Sequence, residues 1–196
     1  MTATQGNGRH QQAPVVLDGD SLTVGDVAAV SRLGAQARLS EGALVRVRQA
    51  RAWVDEISKD GGTLVYGVNT GYGSLAEVRI PPDDVATLAR NLILSHSAGV
   101  GPPLPGEVVR ATMLIRANTL AKGYSGIQPR TLETLVEMLN RGVQPVIPEK
   151  GSVGASGDLA PLSHLALTLI GEGEAFYNGT RMPGAEAMRR ALGSRG

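Results

Sequence analysis

Apolar residues recur at helical spacing along most of this chain, and glycine or proline punctuates the intervals between them. Leu132, Leu135, Val136 and Leu139 mark one face of a helix that starts at Pro129 and ends at Gly142. Val85, Leu88 and Leu92 mark another, opened by Pro82 with Asp83 and Asp84 at its positive end. His96 lies one turn past Leu92, and Gly99 and Gly101 break that helix. A helix from about Gly106 to Lys122 stops at Gly123. Leu44, Val47, Val54 and Ile57 predict a helix capped by Ser40, with Glu41 in its first turn and Gly61-Gly62 as its stop. Thr23 followed three residues later by Asp26 predicts an N-cap and a short helix to about Arg32. Further helices are expected over about Leu159–Ile170 and Ala185–Leu192. Extended structure is minor: Pro14–Leu17 closed by Asp18-Gly19-Asp20, a buried segment over Thr63–Val68 running into Gly71-Tyr72-Gly73, and the proline-restricted Gln144–Pro148. Phe176–Arg181 reads as a hairpin turning at Asn178-Gly179. The pattern predicts a mainly helical fold with minor strands and no internal repeat.

Composition narrows the function classes. A chain of 196 residues that is 42% hydrophobic buries one real core. The formal net charge of +1, with both signs scattered, gives no reason to expect nucleic acid or a membrane surface as a partner. Without cysteine there is neither a disulfide framework nor a thiolate metal site, and His10, His96 and His164 are too dispersed for a local metal cluster. No apolar run reaches membrane-spanning length, and the N-terminus lacks a signal-peptide core. Residues 1–13 read as a disordered polar arm and 14–196 as the folded part. A cytoplasmic location is the default expectation.

Glycine is abundant, at 26 residues, and it concentrates where the chemistry is expected. Gly151-Ser152-Val153-Gly154-Ala155-Ser156-Gly157-Asp158 places Ala-Ser-Gly in a glycine-rich turn just ahead of a helix. Glycine has the least hindered amide nitrogen and reaches turn geometries other residues avoid. Attack of the Gly157 nitrogen on the Ala155 carbonyl carbon, with loss of water from the ring and from Ser156, leaves an alkene conjugated to a carbonyl. That group is an electrophile, which the standard side chains do not supply. The plainer reading is an N-cap loop, with Ser156 or Asp158 capping the helix that follows. The two are compatible, because a helix starting there aims its positive end at the electrophile. A phosphate-binding loop is a poor fit: there is no Gly-Lys-Ser/Thr ending and no dinucleotide glycine spacing.

The blocks YGVNTGYG, NLILSHSAGVG, ANTLAKGYSG, PVIPEKGSVGASGDLAPLSH and LTLIGEGEA, in this order, resemble the aromatic amino acid ammonia-lyases and aminomutases. The resemblance covers nearly everything after about Ala13. It implies the N-terminal domain of the ammonia-lyase fold, in the helical superfamily that includes L-aspartase and fumarase, with the central helical bundle absent. It also implies a methylidene-imidazolone (MIO) group made from Ala155-Ser156-Gly157, no metal, no diffusible cofactor, an amino acid substrate and a homotetramer. Non-oxidative deamination would release ammonia and a trans-α,β-unsaturated acid. Tyr66 matches the family's active-site tyrosine. A phenol ordinarily titrates near pH ~10, so a basic role near neutrality requires a lowered value. Tyr72 reads as lid packing. The Ser95-His96 pair resembles that of the histidine-specific members, where an imidazole can exchange hydrogen bonds with a substrate imidazole and yield urocanate. The competing role for His96 is closing a helix C-terminus. Asn69 either orients a ligand or ties its turn. Asp158 either assists ring closure or caps the helix. His164 reads as structural. Tyrosine- or phenylalanine-specific lyases and 2,3-aminomutases are the rivals within the family. Because the family's later residues are absent, a non-catalytic fragment that pairs with a complementary chain is the alternative from another class.

Overall fold

The computed structural model describes residues 13–59, 62–154 and 158–193. All but Ala13 of the expected arm therefore lies outside the described residues, as does the tripeptide Ala155-Ser156-Gly157.

The chain enters through β1 (Val15–Leu17), which pairs in parallel with β2 (Ala37–Leu39) in the register Val15↔Ala37 and Leu17↔Leu39. Between them lies α1 (Val24–Leu33). Its start is a full capping box: Thr23 Oγ1 accepts from the Asp26 amide, and the Asp26 carboxylate accepts from the Thr23 amide. Gly34, at φ 74°, ends it in the left-handed conformation that only glycine takes at little cost. Next comes α2 (Glu41–Lys59), with Ser40 Oγ accepting from the Ala43 amide as expected.

The core is built on α4 (Gly106–Ala121) and α5 (Pro129–Arg141). Their buried faces carry Val109, Met113, Leu114, Ala117 and Leu120 on one side and Leu132, Leu135, Val136, Met138 and Leu139 on the other. Arg110 ties this core to its neighbours by donating to the carbonyls of Val30 and Leu139. Burial pushes its pKa down. The sheet β4 (Gln144–Pro145), β6 (Glu174–Tyr177) and β7 (Thr180–Pro183) is antiparallel, and its hairpin turns at Asn178 (φ 50°) and Gly179 (φ 76°). The last helix, α7 (Gly184–Leu192), closes it.

The parts that position the candidate site are α3 (Pro82–His96), β3 (Val100–Pro103), β5 (Pro148–Lys150) and α6 (Leu159–Leu169). β3 and β5 run antiparallel, Val100 opposite Lys150 and Pro103 opposite Pro148, and α3 packs along α6.

The mainly helical expectation holds, and the helix starts and stops match closely. One segment does not. Thr63–Val68 is neither buried nor a strand: it runs into a turn, with Leu64 45% and Tyr66 62% exposed. Backbone turns onto the Val65 carbonyl from Val68 and Asn69 take up the ladder partners a strand would need. The strands β2 and β3 were not expected, being short and lacking alternation. Among the described residues no helix is long and apolar enough to cross a membrane.

Candidate functional site

Ala155, Ser156 and Gly157, from which an electrophile is expected, lie outside the described residues, so the site is built from what flanks them. On the C-terminal side Asp158 is held at φ 61°, ψ 45°, one of two described non-glycine residues with positive φ. Its side chain makes no capping hydrogen bond. Instead it accepts from Ser152 Oγ, six residues earlier in the chain. The alternative of Asp158 as a simple side-chain cap is therefore corrected: at this backbone conformation its carboxylate turns to Ser152. The first helical bond of α6 runs from the Leu162 amide to the Asp158 carbonyl, and Pro161 has no N–H. The Leu159 and Ala160 amides thus have no acceptor within the helix, directly after Gly157 in the chain. A positive helix end here suits an electron-accepting ring carbonyl, so the flanks fit an MIO group. On the N-terminal side Gly154 is open, with nothing within 4 Å of where a Cβ would sit.

Three segments converge at Gly99. β5 delivers Gly151 at φ 149°, where an added Cβ would lie 3.0 Å from Gly99 Cα. A Cβ added to Gly99 would lie 3.0 Å from His164 Nε2 and 3.2 Å from Pro148 Cβ. These approaches are tighter than nearly all Cβ contacts, so a side chain at either place would have to displace its neighbour. The Gly99 amide donates to His164 Nε2 over 3.1 Å. Burial lowers the His164 pKa, in keeping with a neutral, accepting imidazole.

His96 is the last residue of α3, three residues before Gly99. Its Nδ1 lies 2.9 Å from the Leu92 carbonyl and 3.1 Å from Ser95 Oγ. A carbonyl only accepts, so Nδ1 carries a proton, and in the neutral ring Nε2 keeps its lone pair. His96 thus closes a helix C-terminus and still presents an acceptor. The segment that follows this helix end, at Gly99, lies against Gly151.

Tyr66 is placed differently. Its ring meets Tyr72 edge-on, with centroids 5.9 Å apart and planes at 80°. Its loop is stitched within residues 62–80: Gly71 amide to Val78 carbonyl, Ile80 amide to Asn69 carbonyl, and Arg79 to the Gly62 carbonyl. Asn69, 5% exposed, ties the turn with both ends of its amide, Oδ1 accepting from the Val65 amide and Nδ2 donating to the Thr63 carbonyl, each at 2.8 Å. The described contacts join Gly99, Gly151 and His164, with His96 three residues before Gly99 in the chain, whereas Tyr66 sits exposed on its own loop. The sequence pattern gave no sign of the part Ser152 plays, and it gave His164 a structural part without its partner. The glycines three residues past His96 and at the mouth of the motif were the available signal, since paired glycines mark where two backbones meet.

The chain matches the family model described as aromatic amino acid lyase over residues 22–193. It is 57% identical over 177 residues to the histidine ammonia-lyase of Myxococcus xanthus (strain DK1622), a match covering 90% of this chain and 35% of that protein. Among solved structures, the ergothionase of Treponema denticola superposes with a TM-score of 0.87 at 37% identity, covering 91% of this chain and 36% of that one. The histidine ammonia-lyase of Trypanosoma cruzi superposes with a TM-score of 0.83 at 42% identity, covering 91% and 34%. The chain thus spans about a third of the length of the relatives it matches.

Proposed function

The chain belongs to the aromatic amino acid lyase family, and from this premise we propose that it is the N-terminal, electrophile-bearing part of a histidine ammonia-lyase. The observation that carries the reading is its identity, over nine-tenths of its length, to curated proteins of that name. The reaction is the non-oxidative deamination of L-histidine to trans-urocanate and ammonia. An MIO group built from Ala155, Ser156 and Gly157 would supply the electrophile that draws electrons from the bound amino acid.

The chain's own residues take the remaining roles. His96 Nε2 accepts a hydrogen bond from the substrate imidazole and so selects for it. Tyr66 moves a proton at the substrate amine or β-carbon. Asn69 serves the substrate indirectly, by holding the Tyr66 loop. Asp158, gripped by Ser152, would support formation of that group, and the α6 N-terminus would favour the negative charge it accepts. The proposal carries with it a cytoplasmic homotetramer that uses no diffusible cofactor.

The test extends the chain to the length of its relatives and compares turnover of histidine, tyrosine and phenylalanine. Histidine should be preferred by at least ~10²-fold in kcat/KM, as expected where a site hydrogen-bonds a polar ring. Equal or greater turnover of phenylalanine would overturn the His96 role. Ser156→Ala in the same protein should abolish deamination, and intact mass of the parent should be lower than the sequence mass by two waters.

A second reading, a non-catalytic fragment that pairs with a complementary chain, is favoured by the short span relative to its relatives and by exposed side chains such as Trp53 and Tyr124. Recovery of deamination on mixing the two parts would make both readings true of the same molecule.

A further inference from the structure

We propose that His164 is a positioning residue for substrate recognition: by accepting the Gly99 amide, its imidazole locks the segment carrying His96 onto the helix that follows the electrophile. This rests on the reading of His96 given above and goes beyond it.

The argument begins at the end of α3. Ser97, at φ −78° and ψ 55°, ends this helix without the left-handed glycine that closes α1 and α5. The chain then crosses residues 97–99 before its pairing with β5 begins at Val100↔Lys150. Within that crossing the Gly99 N–H to His164 Nε2 bond, at 3.1 Å, is the one cross-element hydrogen bond among the described residues. It spans 65 positions of sequence and is partly buried. Without it a backbone donor next to the site loses its partner.

The chemistry of the pair is one-directional. An amide N–H only donates, so His164 Nε2 is bare and its proton sits on Nδ1. The ring is also seated, not merely nearby: Nε2 and Cδ2 lie 3.0 and 3.3 Å from where a Gly99 Cβ would be. His164 belongs to α6, six residues after Asp158, and His96 lies three residues before Gly99. Beside the β3–β5 pairing, this contact therefore ties the segment that carries the substrate-reading imidazole directly to the helix that follows the electrophile. Loosening it misplaces the substrate side chain and leaves the electrophile itself in place.

Two measurements test this. In the 196-residue chain, amide exchange at Gly99 should quicken about tenfold in His164→Ala and in His164→Leu, which keeps bulk but has no acceptor. His164→Gln, whose amide oxygen reaches a similar point, should restore protection. In the protein extended to its relatives' length, His164→Ala and His164→Leu should raise KM for histidine about tenfold, with kcat within about threefold, and His164→Gln should recover most of the loss. If Gly99 exchange is unchanged in His164→Leu, the lock does not exist. If exchange quickens but KM for histidine stays at the parent value, or kcat alone falls, the positioning role is overturned. The underlying reading fails separately, when His96→Ala leaves KM for histidine unmoved, and the exchange result at Gly99 is independent of that outcome.

Discussion

Asp18 closes the first turn of the chain with one oxygen: Oδ1 accepts from the Ser21 and Asp20 amides at 2.8 Å each. These bonds, Ser21 first, push its pKa down to about 2. A carboxyl whose folded pKa is depressed adds stability that is fully present above its ordinary value and lost as pH falls through the folded one. The thermal midpoint of the chain should therefore fall between about pH 4 and pH 2, and Asp18→Asn, which keeps an acceptor but no charge, should flatten part of that fall. Identical midpoint-versus-pH profiles for the two proteins would show that the turn adds nothing. Gly151→Ala should destabilise at neutral pH, because its Cβ would sit 3.0 Å from the Gly99 Cα, a backbone atom that cannot swing away. At this scale the sequence revealed local caps and turns better than long-range contacts. The Thr23–Asp26 box, the Ser40 cap and the Asn178-Gly179 turn were legible because each is a local rule acting over three or four residues. The Ser152–Asp158 and Gly99–His164 bonds were not, since a serine or a histidine has many possible partners and only the fold selects among them.

Elements obey the same division. Helix α5 was readable from Pro129 to Gly142 because all of its signals agree: proline at the first turn, leucines on one face, and glycine at φ 76° past the end. Its inward side chains are accordingly sensitive. Leu132→Ala, at a site with no exposure, should cost about 2–5 kcal/mol in a denaturant titration, whereas Thr23→Ala at the exposed start of α1 should cost only about 1 kcal/mol. Equal losses would mean that α1 docking, not core packing, limits the fold. Thr63–Val68 misled because its apolar residues suit a buried strand, yet the Val65 amide and Thr63 carbonyl are taken by the Asn69 side chain. A side chain that substitutes for a strand partner leaves no periodic trace. Strands of three or four residues such as β2 and β3 are likewise set by the neighbour they pair with, so no period within them could have announced them.

At the scale of the whole molecule, the core is complete around α4 and α5, but the covering is not. Helix α3 has no buried residue although apolar residues recur along it, and Val24, Leu33, Trp53, Tyr124 and Val153 are each more than half exposed. Scattered exposed apolar residues are ordinary, but a helix with no buried position is short of a partner. The chain also spans only about a third of the length of its relatives, and the groups proposed here cover substrate selection and electrophile formation without a side chain to hold the substrate carboxylate. Two consequences follow for the 196-residue chain alone. It should show no steady-state deamination of histidine. It should also bind an apolar dye and associate as its concentration rises, with the emission of its single tryptophan, Trp53 at 52% exposure, quenched by iodide as a water-exposed indole is. Adding a polypeptide that covers the remaining length of the relatives should lower dye binding and start turnover together, because one surface would serve both covering and completion. Dye binding that falls without turnover would separate the two and favour the non-catalytic pairing module; turnover by the chain alone would show that the catalytic constellation is already complete within it.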